Sequence, residues 1–366
     1  MIRLNLAKLI NPQARTTLFD IQDYNRLWQN FYRCMSQALP DRYTFLTNLN
    51  NWDTRRIDYC IQFRVHDVET YIKLFQRGNK PYRGHYIIPY IAKDETDKND
   101  KDTRHIAIDD ELRKSHKPGS VYFVGGSYKP IPESRKKRLV LGSTIINIYD
   151  KQKEMKADKN KGRYTDKELA EAENILRIEI QCLSGKINTI AERYNLYKVD
   201  NGVLVKDKSL ERYLSLDIAR DILLTKYAEV CGKGNYYKTA DVLKNITDRQ
   251  SIRNKDRLKE IIKHLNGTGS GRTIWKEYER IKAKPEAYTI TPEQYKKAIK
   301  KLNDEDINPI TLKATYPIDE LPSLYEPIQN YFNNLESQVY NDIITDFIDE
   351  EEAEESLSRR IEKRNA

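Results

Sequence analysis

The chain has 366 residues, with 64 Lys+Arg against 55 Asp+Glu and a formal net charge of +9. No apolar run approaches the ~18–20 residues that cross a bilayer, which excludes a helical integral membrane protein. Four scattered cysteines (Cys34, Cys60, Cys182, Cys231) form no CxxC pair, which excludes a thiolate zinc site and a disulfide framework and predicts a reducing, cytoplasmic setting.

The segment Met1 to Pro12 has no small-residue cleavage site and does not read as a secretory signal. Ile2 to Leu6 alternates and predicts an edge strand, and Ile21 to Leu39 predicts a helix. Arg56 to Phe63 is rich in strand formers and alternates. Val68 to Arg77 predicts a helix, stopped by Gly78. Asp94 to Arg104 is nearly all polar and predicts a loop. Ser120 to Val124 predicts a strand ended by Gly125-Gly126. Ser143 to Tyr149 predicts another, after a basic turn from Ser134 to Arg138. Asp150 to Glu168 is a charged helix or loop, and Asn174 to Leu183 is a further alternating strand.

From about Asp207 the pattern becomes helical. Ser209–Val230, Tyr237–Ile246, Lys255–Leu265 and Thr273–Ala283 are predicted helices, with a glycine-rich connector from Asn266 to Gly271. The acidic stretch from Asp349 to Glu355 reads as a frayed helix end. The chain therefore divides into an α/β (α+β) domain over residues 1–205, a helical accessory or DNA-binding domain over 206–340, and a charged tail over 341–366.

Several chemistries lack their motifs. The glycine-rich stretches have no GK[ST] ending, and there is no HExxH or GxSxG. The five histidines are dispersed. Three strands remain. Alternation puts Asp58, Cys60 and Gln62 on one face of the first, and Arg177, Glu179 and Gln181 on one face of the third. On the second it predicts that Asn147, Tyr149 and Lys151 share a face. A single strand carboxylate ordinarily faces solvent, and a single strand tyrosine ordinarily packs. Two acidic strands and a Tyr-x-Lys strand converging on one sheet face would do more. Asp58 and Glu179 could hold Mg²⁺ or Mn²⁺ through oxygen. A tyrosine could then attack a polarised phosphodiester, provided a cation such as Lys151 lowers its pKa from about 10.

These motifs resemble those of rolling-circle replication initiators, the gene II/X-type proteins of filamentous phages and the initiators of small Gram-positive plasmids. That family carries an R-hydrophobic-D strand, a hydrophobic-Y-x-K strand and an R-x-E strand in this order. Here they read Arg56-Ile57-Asp58, Ile148-Tyr149-Asp150-Lys151 and Arg177-Ile178-Glu179. The resemblance spans roughly residues 50–185. It implies an antiparallel-sheet nuclease domain related to the HUH endonucleases, followed by helices. It also implies an enzyme whose tyrosine, Tyr149, joins the 5′ end of a nicked origin and frees a 3′ hydroxyl for a polymerase.

The same resemblance assigns Asp58 and Glu179 to a Mg²⁺ or Mn²⁺ ion. Gln62 stands where related initiators have a second acid, which leaves the third ligand open, with His66 a loose candidate. The expected partners are origin DNA, a host helicase and a host polymerase, in the cytoplasm of a bacterial host; a homodimer is left open. Arg56, Arg177 and the basic turn Arg135-Lys136-Lys137-Arg138 are expected phosphate contacts, the turn reading equally well as a solvated hairpin tip. Tyr236-Tyr237-Lys238 and Lys255 to Lys263 could grip DNA, although amphipathic packing is the stronger reading there. A conjugative relaxase is a close variant. A non-catalytic DNA-binding protein on the same scaffold is the alternative from another class.

Overall fold

The computed structural model describes residues 24–38, 52–79, 85–89, 120–130, 137–157, 162–267 and 272–335. The expected strand at Ile2–Leu6, the loop at Asp94–Arg104 and the tail from Asp349 lie outside them.

The described chain is α+β, with antiparallel sheets. Helix α1 (Tyr24–Ala38) precedes β1 (Arg56–Arg64) and α2 (Val68–Gln76). Three strands follow, β2 (His85–Pro89), β3 (Ser120–Pro130) and β4 (Lys137–Asp150). Two short helices, α3 (Lys151–Lys156) and α4 (Asp166–Glu171), lead to β5 (Ile175–Leu183) and α5 (Ser184–Arg193). These five strands form one sheet in the order β1-β5-β4-β3-β2, antiparallel throughout.

A hairpin of β6 (Tyr197–Asp200) and β7 (Val203–Lys206) then leads into helices. They are α6 (Leu210–Tyr213), α7 (Leu216–Cys231), α8 (Thr239–Asp248), α9 (Lys255–Asn266), α10 (Ile274–Ala283) and α11 (Pro292–Asp304). Two short strands, β8 (Tyr236–Tyr237) and β9 (Glu320–Leu321), pair across this region, and a further helix covers 325–335.

Local signals account for many of these boundaries. Asp67 caps α2 by accepting from the Thr70 amide at 2.9 Å. Thr165 with Glu168, and Thr291 with Gln294, form capping boxes on α4 and α11. Gly78 ends α2, and a side chain there would collide with the Val230 carbonyl. Two expectations need correction. The Gly125-Gly126 pair does not end β3. The strand shifts register between Val124 and Gly126 and continues to Pro130, because glycine tolerates a bulge. The predicted basic turn is also shorter than expected. Lys137 and Arg138 belong to β4, opposite Pro130 and Lys129, while Arg135 and Lys136 lie outside the described residues.

The sheet has two unlike faces. One carries Ile57, Tyr59 and Ile61 of β1, Ile146 and Ile148 of β4, Leu176, Ile178 and Ile180 of β5, and Val121 and Phe123 of β3. Helices α2, α5 and α7 pack on the sheet. Their apolar residues join this face in one core, which continues unbroken through α8 to α11 into Phe332. The change of character at residue 206 is therefore a change of secondary structure within one continuous core.

Several tyrosines are sunk in the interior. Burial pushes the Tyr59, Tyr149, Tyr227 and Tyr236 hydroxyls well above their ordinary value of 10.0. A raised native pKa means the folded state holds the proton more tightly than the unfolded state does. The stabilisation is therefore complete below pH 10 and lost as pH rises beyond it. Stability should be flat from about pH 7 to 9 and fall above about pH 10. Tyrosinate absorbance at 295 nm should then rise together with the loss of helical circular dichroism. A full tyrosinate signal from a still-folded protein would contradict this burial.

Candidate functional site

The second sheet face is polar, and pairing alone assembles it. Between β1 and β5, Asp58 lies opposite Gln181, Cys60 opposite Glu179, and Gln62 opposite Arg177. Between β5 and β4, Gln181 lies opposite Ile145, Glu179 opposite Asn147, and Arg177 opposite Tyr149. Residues opposite one another in an antiparallel pair share a face. The three sequence motifs are thus brought onto one surface, on adjacent strands. Asp58 and Glu179 are diagonal neighbours across the β1–β5 pair, a spacing of about 7–8 Å in regular sheet.

The face grades from open to closed. Asp58 stands on the edge strand with its side chain 30% exposed, and Arg56 grips it at 2.7 and 2.6 Å through Nε and Nη2. That pairing raises the Arg56 pKa, chiefly through the hydrogen bond to Asp58. Arg177 donates to the Gln62 oxygen at 2.6 Å. Glu179 accepts from Gln181 at 2.6 Å on one oxygen and from the Tyr149 hydroxyl at 3.4 Å on the other. Glu179 and Arg177 are buried, and Tyr149 is only 1% exposed. Burial is the main cause of the high Tyr149 pKa, with the Glu179 charge adding to it and the Arg177 charge opposing it.

Lys151 lies beyond the end of β4, as the first residue of α3. Asp150 turns the chain by accepting the Lys153 amide at 2.9 Å, so β4 ends and α3 begins at Lys151. The buried Lys151 ammonium is paired with Glu154 at 2.7 Å. Arg177, directly opposite Tyr149 in the sheet, lowers the Tyr149 pKa by its charge. The sequence gives the alternation of each strand but not the register between strands, so Arg177 does not emerge from it as the neighbour of Tyr149.

The donor set suits a hard cation in kind. Asp58 and Glu179 offer carboxylate oxygens, and Gln181, Gln62 and Asn147 offer amide groups on the same face. Among the described residues no three His, Cys, Asp or Glu side chains cluster. The Gln62 oxygen is taken by Arg177. His66 follows the end of β1 and is not part of the strand. Asn147 went unremarked as a functional residue in the sequence, yet it is fully buried and neither its oxygen nor its nitrogen has a hydrogen-bond partner. Its signal was available, as the one polar residue in the run Ile145-Ile146-Asn147-Ile148.

The expected helical DNA contacts resolve in part into packing. Tyr236 is buried and donates to the Cys231 carbonyl at 3.2 Å. Helix α9 buries Leu258, Ile261, Ile262 and Leu265 and leaves Arg257 and Lys263 exposed. No helix among the described residues is long and apolar enough to cross a membrane. Compared with family models, with curated proteins and with solved structures, the chain matches none.

Proposed function

We propose that this protein is a site-specific DNA nickase and strand transferase that initiates rolling-circle replication of a phage or plasmid, on an HUH-like sheet with Tyr149 as nucleophile. One observation carries the reading: register, which no single motif encodes, sets Tyr149 against Arg177 and beside Glu179, with Asp58 on the same face.

The residues divide the work as follows. Glu179 orients the Tyr149 hydroxyl and accepts its proton. The Arg177 charge stabilises the negative charge that builds up on the tyrosine oxygen. That oxygen attacks phosphorus in line, the P–O3′ bond breaks, and the departing oxygen takes up a proton to become the 3′ hydroxyl. The phosphate stays on Tyr149. The reverse attack by a 3′ hydroxyl restores the phosphodiester and frees the tyrosine, so no nucleotide triphosphate is consumed. A Mg²⁺ or Mn²⁺ ion held by Asp58 and Glu179 would neutralise charge on the non-bridging oxygens. Origin DNA is the substrate, and a host helicase and polymerase use the exposed 3′ end.

The closed state of Tyr149 bears on the reading directly. Tyr149, 1% exposed as a residue, is not open to a phosphodiester in this conformation. The same burial favours the second reading, a non-catalytic DNA-binding protein that keeps the scaffold. One experiment separates them. The protein is incubated with Mn²⁺ and a pool of supercoiled and single-stranded circular DNA of random sequence, then denatured in detergent. The nickase gives a metal-dependent covalent adduct. A protein that shifts DNA in native gels but gives no adduct on any strand of the pool is a binder. A relaxase of the same fold gives the same adduct and differs in which origin the recovered sequences mark.

A further inference from the structure

We infer that the β6–β7 hairpin is a docking surface for a second copy of this chain, joined edge to edge along β6 about a two-fold axis at Val199. The three most exposed large apolar residues among the described ones, Val199, Leu204 and Val203, all lie on this hairpin, at 72, 66 and 60%. Val199 lies opposite Leu204, so the two share a face with Tyr197, while Val203 lies on the other face with Lys198 and Asp200. Soluble chains seldom leave such a cluster in water unless something covers it. Among the described residues no third strand pairs with this hairpin. A lone two-stranded sheet is marginally stable and keeps two open edges.

The backbone says which edge is free to pair. Asn201 and Gly202 both have positive φ, 49° and 77°, which makes a two-residue turn closed by Asp200 and Val203 as a hydrogen-bonded pair. Hydrogen-bonded and open pairs alternate along an antiparallel ladder. The N–H and C=O groups of Tyr197 and Val199 therefore point away from β7, to the outer edge. The β7 side is the inner one: it packs on α5, and Lys206 pairs with Glu192 of that helix at 2.5 Å.

The charges on β6 choose the occupant. The strand reads Lys198-Val199-Asp200, which is its own complement when laid antiparallel to itself. With the two copies of Val199 face to face, each Lys198 meets the partner's Asp200, and Val199 and Leu204 of both copies form one apolar row across four strands. A two-fold centred on Lys198 instead would set two lysines against each other. Lys198 is free to turn outward: it stands 3.9 Å from Asp207, which is held more closely by the Ser209 amide at 3.0 Å and by Arg212 at 3.2 Å. DNA suits this edge less well, since Asp200 stands beside the tip and Lys206 is already paired. Four residues of edge make an interface below the ~1,200 Å² of stable complexes, so the dimer is weak, with a Kd of about 10–100 µM.

The test uses the full-length protein and sedimentation equilibrium. The wild type should pass reversibly from monomer to dimer over that range. Asp200→Lys and Lys198→Asp should each weaken the dimer by about tenfold or more, although they change the net charge in opposite directions. The double variant, which restores both pairs with their signs exchanged, should dimerise within about threefold of the wild type. Facing Cα atoms in a hydrogen-bonded pair are about 5.5 Å apart, within reach of a disulfide. Mild oxidation should therefore cross-link Val199→Cys far faster than the wild type, whose Cys34 is exposed, or than Leu204→Cys, whose two copies would lie about 14 Å apart.

A protein that stays monomeric at ~500 µM, ten times the middle of the expected range, would overturn the inference. So would a double variant no better than the single ones, or Val199→Cys cross-linking no faster than Leu204→Cys. A monomer whose DNA binding is lost on Val199→Asp would assign the hairpin to DNA instead. The dimer is independent of the nickase reading, which rests on the covalent adduct.

Discussion

Replacing Tyr149 by Phe is expected to abolish the covalent DNA adduct while leaving the protein folded. The two halves of this outcome have separate causes. The hydroxyl is the only atom removed, and it is the group asked to attack phosphorus. Loss of a nucleophile typically costs at least about 10³-fold, often far more. The structural cost is small by contrast. That hydroxyl donates to Glu179 at 3.4 Å, at the long limit of a hydrogen bond. The ring, which fills the buried end of the polar face, is retained. We therefore expect a stability change of no more than about 1 kcal/mol. Undiminished nicking by Tyr149→Phe would mean that another tyrosine reacts. Tyr194, which follows α5, and Tyr197, which begins β6, are then the next to substitute.

The largest effect on stability is expected from Arg77→Ala, far from the polar face. Arg77 closes α2, and its guanidinium reaches three separate stretches of the helical region. It donates to the Arg272 carbonyl at 3.2 Å, the Thr311 carbonyl at 3.3 Å, the Leu265 carbonyl at 2.9 Å and the Asn266 side-chain oxygen at 2.8 Å. Its own carbonyl accepts from the Ile274 amide at 3.1 Å. Leu265 and Asn266 form the end of α9, where a cation also meets the negative end of the helix. Burial lowers the Arg77 pKa, yet a guanidinium stays charged at any working pH. Truncation to Ala leaves four acceptors short of a donor. A loss of about 3 kcal/mol, read as a fall in Tm of about 5 °C, is expected. It should come with earlier exposure of α9 and α10 in hydrogen exchange. A Tm within about 1 °C of the wild type would show that the clip contributes nothing net.

The strands were legible in the sequence because their signal is local. Alternation of β-branched and polar residues marks β1 and β5 within a residue of their observed ends, and it assigns Asp58, Glu179 and Tyr149 to faces correctly within each strand. Register was not legible. That Tyr149 meets Arg177 depends on a pairing across some thirty residues, and no local pattern states it. Placing Lys151 by strand alternation ran past Asp150, which caps the helix that begins at Lys151. Glycine was read too simply as punctuation. Gly78 does end its helix, whereas Gly125-Gly126 bends a strand that goes on. Burial of Tyr149 was beyond sequence altogether, since Tyr149 is enclosed by the tertiary fold and not by its neighbours in β4. Asn147 lies between these cases. Its oddity as a polar residue in an apolar strand was visible, and its lack of partners was not.

On the proposed function, the tyrosine on this face is the one that carries DNA. The most direct measurement is tandem mass spectrometry of the detergent-stable adduct, after digestion with nuclease and protease. The predicted result is a nucleotide-5′-phosphate on the peptide containing Tyr149, formed only when Mg²⁺ or Mn²⁺ is present. A nucleotide on Tyr194, Tyr197 or any residue outside the β4–β5 face would contradict it.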